Sequence, residues 1–148
     1  MVLPVNLEES LPDTDLEAMR EGMRRHTAQF TEVLTYGKVT ATVRAASGAL
    51  MGALLGETGR GLMYVDLLWV HEDHRGDGHG SRLLETAEAK ARTRGCHTAY
   101  LFTFDYQAPK FYEQHGYEVF GTLECFSGDH SRFYMKKSLG RDSSTPTT

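Results

Sequence analysis

The sequence predicts a single α/β domain built around a mixed β-sheet, and three features of the pattern lead to this fold class. An amphipathic helix over 78–94 lies between two apolar strand segments, and such a crossover places the two strands parallel. Three strand segments in succession precede this helix and favour an antiparallel meander. The length of 148 residues suits one compact domain with a core of ordinary size.

The first half of the chain alternates strand and helix patterns. Residues 2–8 could form a short strand, which Pro4 would make an edge or irregular one. A helix is predicted from Asp13 to about Phe30, because apolar residues recur at helical spacing and acidic residues occupy the first turn. Alternating residues predict strands over 38–46 and 49–55, and three glycines predict a loop over 56–61.

The second half contains the clearest elements. Residues 62–70 are apolar on nearly both faces, as in a central strand, and strict alternation puts Val65, Leu67 and Trp69 on one face, with Trp69 in the core. After the helix over 78–94, the pattern predicts further elements: a strand over 97–103, a short helix over 108–115, and strands over 117–122 and 132–137. A tail over 140–148 rich in Ser, Thr and Pro is expected to be disordered, which leaves residues 1–139 as the domain.

The composition excludes several classes of protein. The net charge of -4, with acids and bases mixed along the chain, argues against a nucleic-acid-binding surface and weakly favours a cationic substrate. The N-terminal residues lack the basic region and apolar stretch of a signal peptide, so none is expected. No apolar run reaches the roughly 20 residues that span a bilayer. Cys96 and Cys125 could pair, but two isolated thiols in a reducing cytosol is the better interpretation. We therefore expect a cytoplasmic protein without a membrane partner.

The most informative segment connects the apolar strand to the long helix. Its core is Arg75-Gly76-Asp77-Gly78-His79-Gly80, in which three glycines alternate with other residues. Glycines let the backbone approach a ligand closely, and the unpaired N–H groups at a helix start form an anion site together with the helix dipole. Arg75 adds a planar, permanently charged donor. The spacing is neither that of dinucleotide-binding loops nor that of Walker loops, so the residues predict a phosphate or pyrophosphate site of another kind.

Two motifs resemble the GNAT superfamily of N-acetyltransferases. The run Arg75-Gly76-x-Gly78-x-Gly80 after Leu68-x-Val70 is similar to the family's acetyl-CoA motif. The segment Ala108-Pro109-Lys110-Phe111-Tyr112-Glu113-Gln114-His115-Gly116-Tyr117 resembles its second motif, A-x-x-F-Y-x-x-x-G-F/Y. The resemblance extends over about residues 13–137. It implies a mostly antiparallel mixed sheet with a splayed central strand pair and flanking helices, and an enzyme that uses acetyl-CoA as cosubstrate.

The resemblance also implies roles for individual residues. The backbone of Leu68, Trp69 and Val70 would pair with the pantetheine arm, and the Val70 N–H would stabilise the oxyanion. The pyrophosphate would bind N–H groups of the loop, formed by Arg75, Gly76, Asp77, Gly78, His79, Gly80 and Ser81. Asp105 stands where many relatives carry an Asn that contacts the cofactor. Tyr112 would be the general acid, since a phenol with a reference pKa of ~10 holds its proton at neutral pH.

Two groups of polar residues admit more than one interpretation. Asp66 lies in an otherwise apolar strand and could be the general base, a ligand for the substrate ammonium or a structural acceptor; relatives often carry a Glu near Tyr64 as the base. His71, His74 and His79 crowd the loop, but solvated histidines explain them better than a metal site does. No metal is therefore expected. Phe102, Phe104, Tyr106 and Phe126 could line a substrate pocket or fill the sheet faces.

The acceptor is the least constrained feature. We expect the primary amine of a small molecule, because the predicted loops are compact and the chain is acidic. The alternatives are acetylation of a protein N-terminus or lysine, and a non-catalytic domain that binds coenzyme A. A homodimer is common in the family that the chain resembles.

Overall fold

The computed structural model of the protein describes residues 1–31, 37–125 and 128–140, and the chain divides into two compact units, Met1–Thr35 and Tyr36–Thr148. In the first unit, helix α1 (Asp13–Ala28) confirms the predicted helix and ends two residues early. The predicted strand over 2–8 is wrong: these residues form no strand, and Pro4 has no N–H to donate to one. Residues 141–148 of the predicted tail lie outside the described residues, and the single-domain boundary stays a prediction.

The second unit contains a six-stranded sheet in the order β1-β2-β3-β4-β6-β5. Its strands are β1 (Gly37–Arg44), β2 (Leu50–Gly59), β3 (Leu62–Val70), β4 (Thr98–Phe104), β5 (Glu118–Cys125) and β6 (His130–Ser138). Two helices, α2 (His79–Thr93) and α3 (Pro109–Gln114), and a 3₁₀ turn over Glu72–His74 complete it. Only β3 and β4 pair in parallel, while every other neighbouring pair is antiparallel. This arrangement confirms the predicted mixed, mostly antiparallel sheet.

The parallel pair opens soon after it forms. Residues Leu62 to Tyr64 pair with Thr98 to Tyr100, and beyond this point β3 and β4 are not paired with each other. Residues 65–70 of β3 and 101–104 of β4 therefore border a gap in the middle of the sheet. The splayed central strand pair that the family resemblance implies is present.

A β-bulge at Asp66 changes which residues of β3 face the core. Leu55 pairs with Leu67 and Gly56 with Val65, so Asp66 is an extra residue. Val65 is buried, but Leu67 and Trp69 are 59% and 44% exposed. Strict alternation was therefore the wrong prediction, and Trp69 is not a core residue, because the extra residue moves every later side chain to the other face.

Gly56, one of the glycines that predicted a loop over 56–61, lies inside strand β2 opposite the bulge. A Cβ on Gly56 would lie 2.7 Å from the backbone oxygen of Tyr64, so only glycine fits opposite the bulge. Strand β2 continues through this residue to Gly59, and the turn consists of Arg60 and Gly61. The predicted loop over 56–61 is wrong except for this turn.

The core lies between the sheet and α2. Leu84, Ala87 and Ala91 of α2 are fully buried with Leu54, Met63 and Met135 of the strands. A carboxylate is buried among them: Glu88 accepts hydrogen bonds from the Tyr117 hydroxyl at 2.8 Å and from Lys137 Nζ at 2.7 Å. Burying a charge is costly unless it is paired, and both partners come from elements on the far side of the gap. Glu88 thereby fixes α2 against the second half of the sheet.

Two further features bear on the sequence analysis. Cys96 and Cys125 are both free thiols, as expected. Among the described residues, no helix combines the length and the apolar character needed to cross a membrane.

Candidate active site

A cavity of about 430 Å³ lies where the end of β3 meets the first turn of α2. Three groups of residues line it: Leu68 and Val70 of β3, the loop residues with the helix start that follows them (His74, Arg75, Gly76, Gly78, His79, Gly80 and Ser81), and Ala108, Phe111 and Tyr112 at α3. The two motifs of the sequence analysis, about 30 residues apart in the chain, thus share one cavity.

The loop presents backbone N–H groups to this cavity. Gly76 and Gly78 have φ angles of +87° and +81°, a left-handed conformation that L side chains rarely adopt. The first hydrogen bond of α2 runs from Arg82 N–H to the Gly78 carbonyl oxygen at 3.1 Å. The N–H groups of residues 79–81 precede it and have no carbonyl partner in the helix. With the dipole of a 15-residue helix behind them, they form an anion site.

Gly80 and Ser81 bring α3 close to this helix start. A Cβ on Gly80 would lie 3.4 Å from Cζ of Phe111, which is van der Waals contact, so the first turn of α2 lies directly against the Phe111 ring. Ser81 Oγ is 2.8 Å from Nε2 of His115, whose ring also packs on Phe111. Sequence reasoning missed His115, although its place in the second motif, just before the helix-ending Gly116, could have indicated a contact with the loop.

Arg75 connects the loop to the end of β3. Its Nε donates to the Val70 carbonyl oxygen at 3.0 Å. The guanidinium has four further N–H groups, and none of them has a hydrogen-bond partner within the part of the chain that the structure describes. Arg75 can therefore hold the loop in place and still bind an anion in the cavity.

The edge of β3 offers further backbone groups. The His71 N–H donates to the Met51 oxygen of β2 at 2.7 Å, so it points towards β2. Successive residues of a strand direct their N–H and C=O groups to alternate sides. Those of Val70 and Leu68 consequently point away from β2, towards the gap where β4 has separated. An extended ligand could pair with them as an added strand.

Tyr112 lines the cavity with its side chain 9% exposed. Its ring packs edge-on against Phe111 and Tyr117, while its hydroxyl has no hydrogen-bond partner among the described residues. Burial raises the pKa of Tyr112 to about 12. The phenol therefore keeps its proton at every physiological pH. Its O–H group is available to donate a hydrogen bond to a group bound in the cavity.

Comparison with known proteins assigns this architecture. The model of the acetyltransferase (GNAT) domain family matches residues 34–119. An acetyltransferase of Agrobacterium fabrum is 40% identical over 96 residues, which cover 65% of this chain and 70% of the relative. The blasticidin-S acetyltransferase of Streptomyces morookaense is 44% identical over 93 residues, 62% of this chain and 68% of the relative. The crystal structure of an acetyltransferase from Bacillus cereus superposes with a TM-score of 0.77 at 29% identity, covering 90% of this chain and 97% of that one.

The chain belongs to the GNAT acetyltransferase family. It is therefore an acetyl-transferring enzyme, and acetyl-CoA is the acetyl donor that the family uses.

Not every residue that the sequence suggested lines the cavity of this GNAT acetyltransferase. The side chains of Asp77 and Trp69 do not. Asp105 lies at the corner between β4 and β6, where Oδ1 is 3.1 Å from His130 Nδ1 and Oδ2 accepts the Ser131 N–H at 3.1 Å. With both oxygens occupied, the side chain of Asp105 receives no support from the geometry as a coenzyme A contact.

Asp66 differs from the other acidic candidates. The bulge places its side chain in solvent, which removes the cost of burying a carboxylate in an apolar strand. It makes no side-chain hydrogen bond or ion pair within the described ranges. This geometry gives no support to a purely structural role, and the roles of base and ammonium ligand stay open.

The loop histidines come together in the GNAT acetyltransferase more closely than the sequence suggested. His74, Asp77 and His79 offer ligand atoms within 4.8 Å of one another. However, Nδ1 of His79 lies 2.6 Å from Arg82 Nη2, which has only protons to offer. A neutral His79 then carries its own proton on Nε2, where it has no lone pair for a metal. The expectation of no metal stays a prediction.

Proposed function

We propose that this enzyme transfers the acetyl group of acetyl-CoA to the primary amine of a small molecule. The observation that carries the proposal is the continuity of one cavity, from the unpaired N–H groups at the start of α2, along the open edge of β3, to Tyr112. An anion site, a strand edge and a proton donor are what a pyrophosphate, an extended pantetheine arm and a thioester require.

The residues present fit coenzyme A. The N–H groups of residues 79–81 and the free guanidinium N–H groups of Arg75 would hold the pyrophosphate. Gly76 and Gly78, whose positive φ angles favour glycine, carry no side chain into this space. Leu68 and Val70 would bind the pantetheine arm through backbone groups that face the gap.

The chemistry of acetyl transfer then falls to three groups. The N–H of Val70 would stabilise the negative oxygen that develops when the amine adds to the thioester carbon. The hydroxyl of Tyr112 would donate to the sulfur as the carbon–sulfur bond breaks. Asp66 would bind the incoming ammonium or accept its proton, which must leave before the nitrogen can attack.

A small acceptor is favoured by one comparison. The Streptomyces relative is named for the acetylation of blasticidin-S, a small molecule. The -4 net charge of the chain is compatible with an amine that is protonated in bulk solution. A cytoplasmic location, the absence of nucleic-acid partners and a homodimer stay predictions; light scattering in solution would check the last.

The test is a screen of primary amines with acetyl-CoA, monitored by thiol release and by mass spectrometry of the product. We expect acetylated small amines at rates that rise from acidic to mildly alkaline pH, as more of the amine loses its proton. Transfer to peptide N-termini or lysines but to no small amine would replace the proposal by protein acetylation. Tight binding of acetyl-CoA with no acceptor in either class would indicate a domain that only binds it.

A further inference from the structure

The face of the sheet that points away from α2 carries an aromatic cluster beside the gap. It consists of Tyr64 on β3, Phe102 and Phe104 on β4, and Tyr134 on β6. The Tyr64 and Phe102 rings stack with centroids 6.5 Å apart, and Phe102 lies 5.9 Å from Tyr134. Phe102 remains 37% exposed, so a ligand can reach the cluster. The sheet lies between this face and the coenzyme A cavity. An acceptor bound here would reach the thioester through the gap, from the opposite side.

Arg132 brings a positive charge into this cluster. It pairs in register with Phe104, and its Cζ lies 4.5 Å from the centroid of Phe102 and 5.0 Å from that of Phe104. Such stacking fixes the plane of a guanidinium and is favourable for Arg in particular. The side chain is therefore held in one orientation beside the gap.

The hydrogen-bond donors of Arg132 are poorly used by the protein. Nε is buried and has no partner, and Nη1 makes a single long bond of 3.5 Å to the Tyr134 hydroxyl. Nη2 is neither buried nor bonded to a described group. No carboxylate in the ranges 1–31, 37–125 and 128–140 lies within 4.0 Å of this guanidinium. The guanidinium of Arg132 is thus oriented, lies on an open aromatic surface and has no counterion among the described residues. An anionic group of a ligand could fill this place.

The negative charge on this face comes from the other side of the gap. Burial raises the pKa of Tyr64, the nearby charge of Asp66 raises it further, and Arg132 lowers it. Tyr64 is thus close enough to sense both charges. The local field is mixed, with an acid on β3 and a base on β6, whereas the net charge of the chain alone weakly favours a cationic acceptor.

We infer that Arg132 binds a carboxylate of the acceptor, so that the substrates are small amines that carry both a flat apolar body and a carboxylate. The inference rests on the proposed function and adds the chemical class of the acceptor. The amine end would lie near Asp66, the apolar body on Phe102 and Tyr64, and the carboxylate against the outward N–H groups of Arg132. A planar carboxylate matches the guanidinium in shape and charge better than other common anions do.

Matched pairs of acceptors test this directly. 4-(Aminomethyl)benzoate and 4-(aminomethyl)benzamide share the amine and the ring and differ in charge at the far end; 6-aminohexanoate and 6-aminohexanamide form a flexible pair. With the parent enzyme we expect kcat/KM to favour the carboxylate of each pair by roughly 10-fold or more. In Arg132→Gln this preference should disappear through a rise in KM for the acids that is much larger than any change for the amides.

Two variants and one binding measurement complete the design. Arg132→Lys keeps the charge without the planar donors and should recover part of the preference. Lys136→Gln removes a neighbouring positive charge of the same strand, which lies over Phe120, and should leave the preference intact. Equal rates on acids and amides in the parent, or equal losses on both in Arg132→Gln, would overturn the inference while leaving the proposed function standing. Acetyl-CoA that binds without turnover of any pair member would overturn the inference, whereas the proposed function fails only if the broad amine screen finds no small acceptor.

Discussion

Replacing Tyr112 by Phe tests whether the hydroxyl of this residue is catalytic, as proposed, or whether the residue serves only as a core ring. The ring is part of the buried cluster, so the change to Phe keeps the packing and removes only the hydroxyl. That hydroxyl has no partner among the described residues, so no hydrogen bond to a described group is lost with it. We therefore expect the variant to fold and to bind acetyl-CoA with an affinity within about twofold of the parent, because the anion site is untouched.

The size of the kinetic effect follows from the acidity of the phenol. With a pKa of about 12, Tyr112 is a weaker acid than a thiol of ordinary pKa ~8.5, so complete proton transfer to the departing thiolate would cost about 5 kcal/mol. Donation of a hydrogen bond to the developing charge does not require complete transfer and is worth about 1.5–3 kcal/mol. We expect kcat to fall by roughly 10- to 100-fold, at the low end of general acid catalysis.

The pH profile gives a second test. Because the pKa of Tyr112 is about 12, its hydroxyl stays protonated well beyond pH 9, and the ratio of parent to variant kcat should be constant from pH 6 to pH 9. The matched control is Tyr117→Phe, which removes a buried hydroxyl that is bonded to Glu88 and does not line the cavity. It should lower stability and leave kcat near the parent value. A Tyr112→Phe enzyme with kcat within about twofold of the parent would refute the acid role.

Three other measurements follow from the described contacts. Glu88→Ala leaves Lys137 and the Tyr117 hydroxyl without their buried partner, so it should reduce the free energy of unfolding in urea titrations by about 3–5 kcal/mol. Glu85→Ala, an exposed change on the same helix, should alter it by less than about 0.5 kcal/mol. Burial favours the neutral phenol of Tyr112, so its contribution to stability is complete below the unfolded pKa of ~10 and is lost as pH rises towards about 12. Over this range the unfolding free energy of the parent should fall by about 3 kcal/mol more than that of Tyr112→Phe. Extensive dialysis against EDTA should leave acetyl transfer unchanged, since the proposed reaction depends on Val70, Tyr112 and Asp66 and on no metal. A loss of activity that Zn²⁺ restores would instead support a site at His74, Asp77 and His79.

The sequence predicted most elements of the sheet unit because their patterns are local. Helix α2 and the strands around it follow from periodicity, and the anion site follows from glycines at a helix start. The shared cavity also follows, once the family resemblance aligns the loop with the Phe111-Tyr112 segment.

The errors arose where pairing between strands overrides local pattern. The bulge at Asp66 depends on which residues of β2 lie opposite, and it sends Trp69 to the outer face although the strand is apolar. Gly56 looks like a loop residue in isolation and is required by the close approach of the Tyr64 oxygen. Arg132 gave no sequence signal, since its isolation from carboxylates exists only in the folded arrangement. Local chemistry thus predicted the acetyl-CoA site, whereas the proposed acceptor side depends on tertiary structure.

The central claim is that the loop before α2 holds the pyrophosphate of acetyl-CoA, and calorimetry on a pair of glycine variants tests it most directly. Gly78 and Gly95 lie at opposite ends of α2, with φ angles of +81° and +80°, and a Cβ at either would meet nothing within 4 Å. Valine at each position should therefore cost similar stability, about 1–3 kcal/mol. The parent should bind acetyl-CoA at micromolar concentrations, on the order of -7 to -8 kcal/mol. Folded Gly95→Val should retain this affinity and folded Gly78→Val should lose it; equal affinities in the two variants would contradict the assignment of the loop.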